Sequence, residues 1–114
     1  MNSSNNRQEK IAKQIQKDMA EIIQQQMPEV ALGSLVTVTA VRVSPDFAYA
    51  KIYVSIFPFG RHEQVMRSLE QHARPLRGLL GNRLRNQLKS IPEIQFFLDD
   101  SLEYIEQIDR AIKN

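Results

Sequence analysis

The sequence predicts an α+β fold: a three-stranded sheet covered by helices on one face, in the order α-β-β-α-kink-α-β with a C-terminal helix. Two observations set the main strands. Residues 35–43 and 49–57 are rich in β-branched side chains and alternate apolar with polar, the period of a half-buried strand. A third sets the helices: before residue 28 and after residue 61, apolar residues recur three and four apart. Three strands cannot close a barrel, so helices must cover one face of a small sheet.

The opening helix is expected over residues 8–27. Ile11, Ile15, Met19, Ile22 and Ile23 form its apolar stripe, while Lys10, Lys13, Lys17 and Glu21 face water. Pro28 ends it, because proline disfavours the helical conformation in the residue before it. Gly33 marks the change of period into the first strand, residues 35–43. Ser44-Pro45-Asp46 is turn chemistry: proline presets φ, and the Ser and Asp side chains bond nearby backbone. In the second strand, residues 49–57, Ala50, Ile52, Val54 and Ile56 share one face and Lys51, Tyr53 and Ser55 the other. The pair reads as an antiparallel hairpin closed by Pro58 and Gly60.

From Arg61 the helical period returns through Val65, Met66 and Leu69. Pro75 interrupts it, which places a kink at Ala73, Arg74 and Pro75. A basic helix follows and is expected to end near Lys89. Ile91-Pro92 is a boundary, and residues 93–98 form a short third strand. Asp99 or Asp100 then caps a final helix bearing Leu102, Ile105, Ile108 and Ile112.

At 114 residues the chain is expected to be one domain over residues 7–113, after a flexible start at residues 1–6. A chain of this size buries roughly 65% of its unfolded surface, enough for a core without cross-links. The absence of cysteine removes disulfides, thiol catalysis and thiolate metal sites. Residues 1–6 lack the apolar centre of a secretory signal, and no apolar run approaches the roughly 20 residues that span a bilayer. The expectation is a cytoplasmic monomer with no membrane partner, small-molecule substrate, metal or cofactor.

Charge is distributed unevenly. Residues 61–89 carry seven cationic side chains against two carboxylates, a net of +5. Residues 93–114 carry six carboxylates against two cations, a net of −4, so the overall +2 conceals a dipole along the second half. Such asymmetry suits a polyanion-binding face with an acidic segment that limits indiscriminate binding. Within the basic helix, Leu76, Leu79, Leu80, Leu84 and Leu88 recur on one side. At roughly 100° per residue, Arg74, Arg85 and Lys89 fall opposite, with Arg77 at the border. Gly78 and Gly81 lie on that outer face and leave gaps through which a phosphate backbone could approach. The element order excludes the common β-α-β-β-α-β RNA-binding module and permits a KH-like arrangement, in which two helices meet at a loop that clamps nucleic-acid backbone.

Four stretches carry a closer resemblance: the opening helix, residues 7–23; VTVTAVRVSPDFAYAKIYVSIF, residues 36–57; LRGLLGNRLR, residues 76–85; and IPEIQFFLDDSLEY, residues 91–104. Together they resemble the ribosome-binding factor A family, bacterial small-subunit assembly factors with a type II KH-like fold, over about residues 7–112. The resemblance implies binding to small-subunit rRNA on the free small ribosomal subunit, a role in late RNA folding and 5′-end maturation, and cold adaptation. In that family an Ala-x-Gly element makes the interhelix kink; the matching positions here are Ala73, Arg74 and Pro75, with proline where glycine is usual. Proline fixes φ near −65° and cannot reach positive φ.

The expected RNA contacts are therefore Arg74, Arg77, Arg85 and Lys89 with Gly78 and Gly81, extended by Arg42 and Lys51 on the strands. Arg83 projects near the leucine stripe and is expected to snorkel along the core edge. Tyr49 and Tyr53 share the strand face opposite Ala50 and Ile52; cross-strand packing is the favoured use, base stacking the alternative, and helices on that face would exclude stacking. His62 and His72 lack further ligands, so a metal site is not expected. Capping and dipole pairing account for Asp99, Asp100 and Glu103 without a cation. No nucleophile–base pair is recognisable, so no enzyme is expected. The competing reading is a protein–protein adaptor using the N-terminal helix and the acidic C-terminal helix.

Overall fold

Alternation along two strands decides where the core lies. In the computed structural model, which describes residues 3–99, β1 (Leu35–Val43) and β2 (Tyr49–Phe57) pair antiparallel, and β3 (Glu93–Leu98) adds to β2 in parallel, giving the order β1-β2-β3. All three strands fall where the sequence predicts them. Ala50, Ile52, Val54 and Ile56 point to one face and are buried, joined there by Phe96 from β3. The parity of β1 is less simple. A bulge between Val38 and Ala40 shifts the register, so Val36 and Val38 face the core before it and Val41 and Val43 after it.

The helices lie on that apolar face. α1 (Ser3–Glu21) starts five residues before the predicted Gln8, so residues 3–6, expected to be flexible and outside the helix, belong to it. A single π-helical turn, Ile22–Gln26, carries it on and is closed by the Met27 N–H donating to Ile22 O at 2.8 Å. The wider turn lets adjacent Ile22 and Ile23 both enter the core with Ile11, Ile15 and Met19. Gln16 on α1 donates to the carbonyls of Val38 and Thr39, at 3.1 and 3.3 Å, where the bulge interrupts the ladder. At its other end α1 is tied to the hairpin by Gln8 Nε2 donating to Val43 O and by the Arg7 guanidinium over the Phe47 ring.

The hairpin turn uses the predicted residues. Ser44 Oγ donates to Asp46 Oδ1 at 2.8 Å, and that carboxylate accepts from the Ala48 N–H at 3.1 Å. After β2, α2 (His62–Gln71) and α3 (Ala73–Leu84) bury Val65, Leu69, Leu76, Leu80 and Leu84 against the sheet. The ladder of α3 stops at Leu84, five residues short of the predicted end at Lys89. One further turn survives: the N–H groups of Gln87 and Leu88 both donate to Leu84 O, which keeps Leu88 on the buried stripe. Leucine spacing does not distinguish such a closing turn from continued helix. The predicted final helix, with Asp100, Leu102, Ile105, Ile108 and Ile112, lies outside the described residues. Helices on one face of a three-stranded sheet make this an α+β, KH-like fold.

Candidate nucleic-acid interface

α2 and α3 meet at a single residue, His72, with φ −102° and ψ 12°. Its backbone N–H and its ring Nδ1 both engage Ser68 O, at 3.0 and 2.8 Å, closing α2 as α3 begins. Ala73, Arg74 and Pro75, where the kink is predicted, form the first turn of α3, one residue past the break. The first intrahelical bond of α3 runs from the Leu76 N–H to His72 O, so the N–H that Pro75 lacks has no ladder partner to lose. No residue from 72 to 75 has positive φ. Proline therefore fits a junction made with negative φ throughout.

An open cleft of about 620 Å³ lies along the outer side of α3 and is lined by all six residues predicted there, Arg74, Arg77, Gly78, Gly81, Arg85 and Lys89, together with Asn82 and Ser90. The side chains of Arg74, Arg85 and Lys89 are exposed. Leaving the helix at Leu84 puts Arg85 and Lys89 on the turn that closes the cleft, so they reach it from one end while Arg74 stands at the other. The two predicted glycine gaps differ. A Cβ on Gly78 would meet nothing within 4 Å, so the helix backbone is open there. A Cβ on Gly81 would lie 3.1 Å from Ile91 Cγ1, so that gap is already filled by the segment returning to β3.

Arg77 faces the same returning segment. Its Nε donates to Pro92 O at 2.9 Å and its Nη2 to Ile91 O at 2.6 Å, with Glu93 Oε1 3.7 Å away. These bonds satisfy backbone carbonyls at the entry to β3 and make Arg77 a strut between α3 and the sheet. Arg83 does not snorkel along the core edge as expected. Its Nη1 lies 2.6 Å from Glu21 Oε1 and 3.3 Å from Asp18 Oδ1, bridging α3 to α1. The Asp18 side chain is only 7% exposed, and Gln14 Nε2 donates to its second oxygen at 3.0 Å. The hydrogen bond to Glu21 holds the Arg83 guanidinium above its ordinary pKa.

Arg42 and Lys51 are placed elsewhere. They pair directly across β1 and β2 on the sheet face away from the helices, so they do not extend the α3 cleft. Tyr53 makes the expected cross-strand contact, stacked on Phe97 with ring centroids 5.5 Å apart, while Tyr49 is 62% exposed. Phe97, Asn82 and Ser90 were not singled out by the sequence. The Phe96-Phe97 pair did carry a signal, since adjacent strand residues face opposite ways and one ring had to leave the core. His62 and His72 each engage a backbone carbonyl, of Phe59 and Ser68 respectively. Among the described residues no group of three or more His, Cys, Asp or Glu could hold a metal ion, and no helix is long and apolar enough to cross a membrane.

The sequence and the fold have known counterparts. Residues 7–112 match the family model described as ribosome-binding factor A. A ribosome-binding factor A from Christiangramia forsetii is 41% identical over 109 residues, 95% of this chain and 83% of the relative. One from Flavobacterium psychrophilum is 37% identical over 108 residues, 94% of this chain and 83% of the relative. The crystal structure of ribosome-binding factor A from Thermus thermophilus superposes with a TM-score of 0.69 at 27% identity, covering 80% of this chain and 94% of that one. A homology model of the Thermus thermophilus factor, fitted into the cryo-EM map of its 30S complex, superposes with a TM-score of 0.63 at 30% identity over 77% of this chain and 90% of that one. With a family model spanning nearly the whole sequence, and relatives and solved structures of that same family, this chain belongs to the ribosome-binding factor A family.

Proposed function

We propose that the protein is a non-catalytic assembly factor of the bacterial cytoplasm that binds the free small ribosomal subunit and assists late folding and 5′-end maturation of its rRNA. The observation that carries the reading is the cationic cleft beside the α2–α3 junction, where Arg74, Arg85 and Lys89 are exposed around the open backbone at Gly78. Three guanidinium and ammonium groups can each neutralise a phosphate, and a helix backbone without a Cβ in the way lets the RNA strand approach between them. Arg77 and Gly81 support this surface by fixing the segment behind it. The family name of the relatives, and the 30S complex of the Thermus thermophilus factor, point the cleft at small-subunit RNA. Growth in the cold, where misfolded RNA helices are slow to rearrange, is where such a factor matters most.

The test is sedimentation of a cell lysate through a sucrose gradient, following the protein across the ribosomal fractions. Enrichment on free small subunits, absence from full ribosomes and loss with Arg74→Glu/Arg85→Glu support the reading. A peak at the top of the gradient that is unchanged at low salt moves the assignment to the protein–protein adaptor.

A further inference from the structure

The sheet face opposite the described helices carries side chains that the α3 cleft does not use. Its central row is Ala40, Tyr53 and Phe97, in register across β1, β2 and β3, and the next row is Arg42, Lys51 and Gln95. Tyr53 and Phe97 stack with planes 28° apart and are only half-buried, and the Lys51 Nζ stands 5.8 Å from the Phe97 ring centre. The β1 residue in register with Tyr53 is Ala40, whose side chain is a single methyl. Arg42 and Lys51 are exposed and directly opposite each other, an arrangement that weakens strand pairing through like-charge repulsion and that a bound anion relieves. Among the described residues, the carboxylates near this face are engaged: Asp99 accepts from Thr39 Oγ1 at 2.7 Å, and Glu93 lies beside Arg77. None of the described helices lies here, because all pack on the face formed by Ile52, Val54 and Phe96.

We propose that this face is a second binding surface, which stacks bases of single-stranded RNA on Tyr53 and Phe97 while Arg42 and Lys51 hold the flanking phosphates. Aromatic rings on a sheet with cations at the margin suit a single strand, because splayed bases offer π-faces that a duplex keeps internal. The inference rests on the RNA-binding reading and adds a class of ligand to it: the α3 cleft takes backbone, and the sheet takes unpaired bases. The two surfaces lie on different sides of the sheet, so one protein could grip a structured RNA element and an adjoining single strand.

The experiment titrates the full chain into a fluorescein-labelled single-stranded octaribonucleotide and, separately, into an RNA hairpin, reading anisotropy. Tyr53→Leu is expected to weaken single-strand binding roughly tenfold and to leave hairpin binding unchanged. Tyr53→Phe keeps the ring and is expected to bind like the parent. Arg42→Gln/Lys51→Gln, both at exposed positions where folding is not at risk, is expected to flatten the single-strand salt slope by about 1.4, roughly 0.7 per phosphate. The proposal is overturned if folded Tyr53→Leu and Arg42→Gln/Lys51→Gln both bind the single strand as the parent does. It is also overturned if the Tyr53 and Phe97 ring resonances ignore the oligonucleotide but move in Leu102→Asp/Ile105→Asp, which would assign the face to the chain's own C-terminal segment. Arg74→Glu/Arg85→Glu separates the two surfaces: loss of small-subunit binding in that variant alone keeps the α3 reading and removes this one.

Discussion

Arg77 and Arg83 sit on the cationic helix beside Arg74 and Arg85, yet their guanidinium groups hold the protein together. Arg83 neutralises the nearly buried Asp18 and reaches Glu21, so removing it leaves a carboxylate in a poorly solvated position with Gln14 as its remaining side-chain donor among the described residues. Arg83→Ala is expected to lower stability by about 2–3 kcal/mol in urea unfolding, with Arg83→Lys recovering part because an ammonium lacks the planar fork. At the hairpin, Asp46 titrates below its ordinary 3.8 because the Ser44 hydroxyl, and then the Ala48 N–H, donate to its charged form. A carboxylate whose pKa is depressed on folding adds stability that is complete above the unfolded value and is lost as pH falls through the folded one. The parent is therefore expected to lose stability relative to Asp46→Asn as pH is lowered below about 4, and to show a constant difference above about pH 5. Urea midpoints measured across that range check it.

At the scale of elements, the junction between α2 and α3 shows what sequence spacing can and cannot locate. Pro75 announces an interruption, and there is one, but the chain turns at His72, where the ring and backbone both bond Ser68 O. Proline is harmless in the first turn of a helix, so its presence bounds the start of α3 without marking the bend itself. The two glycines of α3 look equivalent on a helical wheel and differ only through their surroundings. Gly78→Ala adds a methyl in open space and is expected to raise stability by about 0.5–1 kcal/mol in thermal unfolding, while weakening small-subunit binding by narrowing the cleft. Gly81→Ala must displace Ile91 by a few tenths of an ångström, so a smaller gain or a net loss is expected. Equal stabilisation by both substitutions would remove the assignment of Gly81 to packing.

For the whole molecule, the basic segment of residues 61–89 supplies the α3 cleft, and a separate cation pair from the strands lies on the far face of the sheet. Arg74, Arg85 and Lys89 surround the α3 cleft, whereas Arg42 and Lys51 pair across the far face of the sheet. On the proposed reading, three phosphate contacts at the cleft are expected to give a log–log salt slope between about −2 and −3 for binding of a structured small-subunit RNA fragment. Arg74→Glu/Arg85→Glu is expected to bring that slope towards zero, and Arg77→Gln to leave it unchanged while lowering stability. A slope near zero for the parent, measured by filter binding from low to moderate salt, would remove the electrostatic mechanism.

The sequence by itself determined the order of the described elements, the three strand boundaries, the antiparallel hairpin and the buried stripes, because these follow from local periodicity and turn chemistry. It also located the basic helix and, through resemblance, the family. Only the tertiary structure decided how the cations are divided. The bulge near Thr39 reverses the alternation of β1; without it Arg42 would share the inward parity of Val36 and Val38. Gln16 of α1 bonds the carbonyls at that bulge, and the segment returning to β3 claims Arg77 and fills the space at Gly81. Each of these outcomes depends on a partner at least ten residues away in the chain. Periodicity records which face a residue takes within its own element, and contact with another element decides whether the side chain there is free to bind.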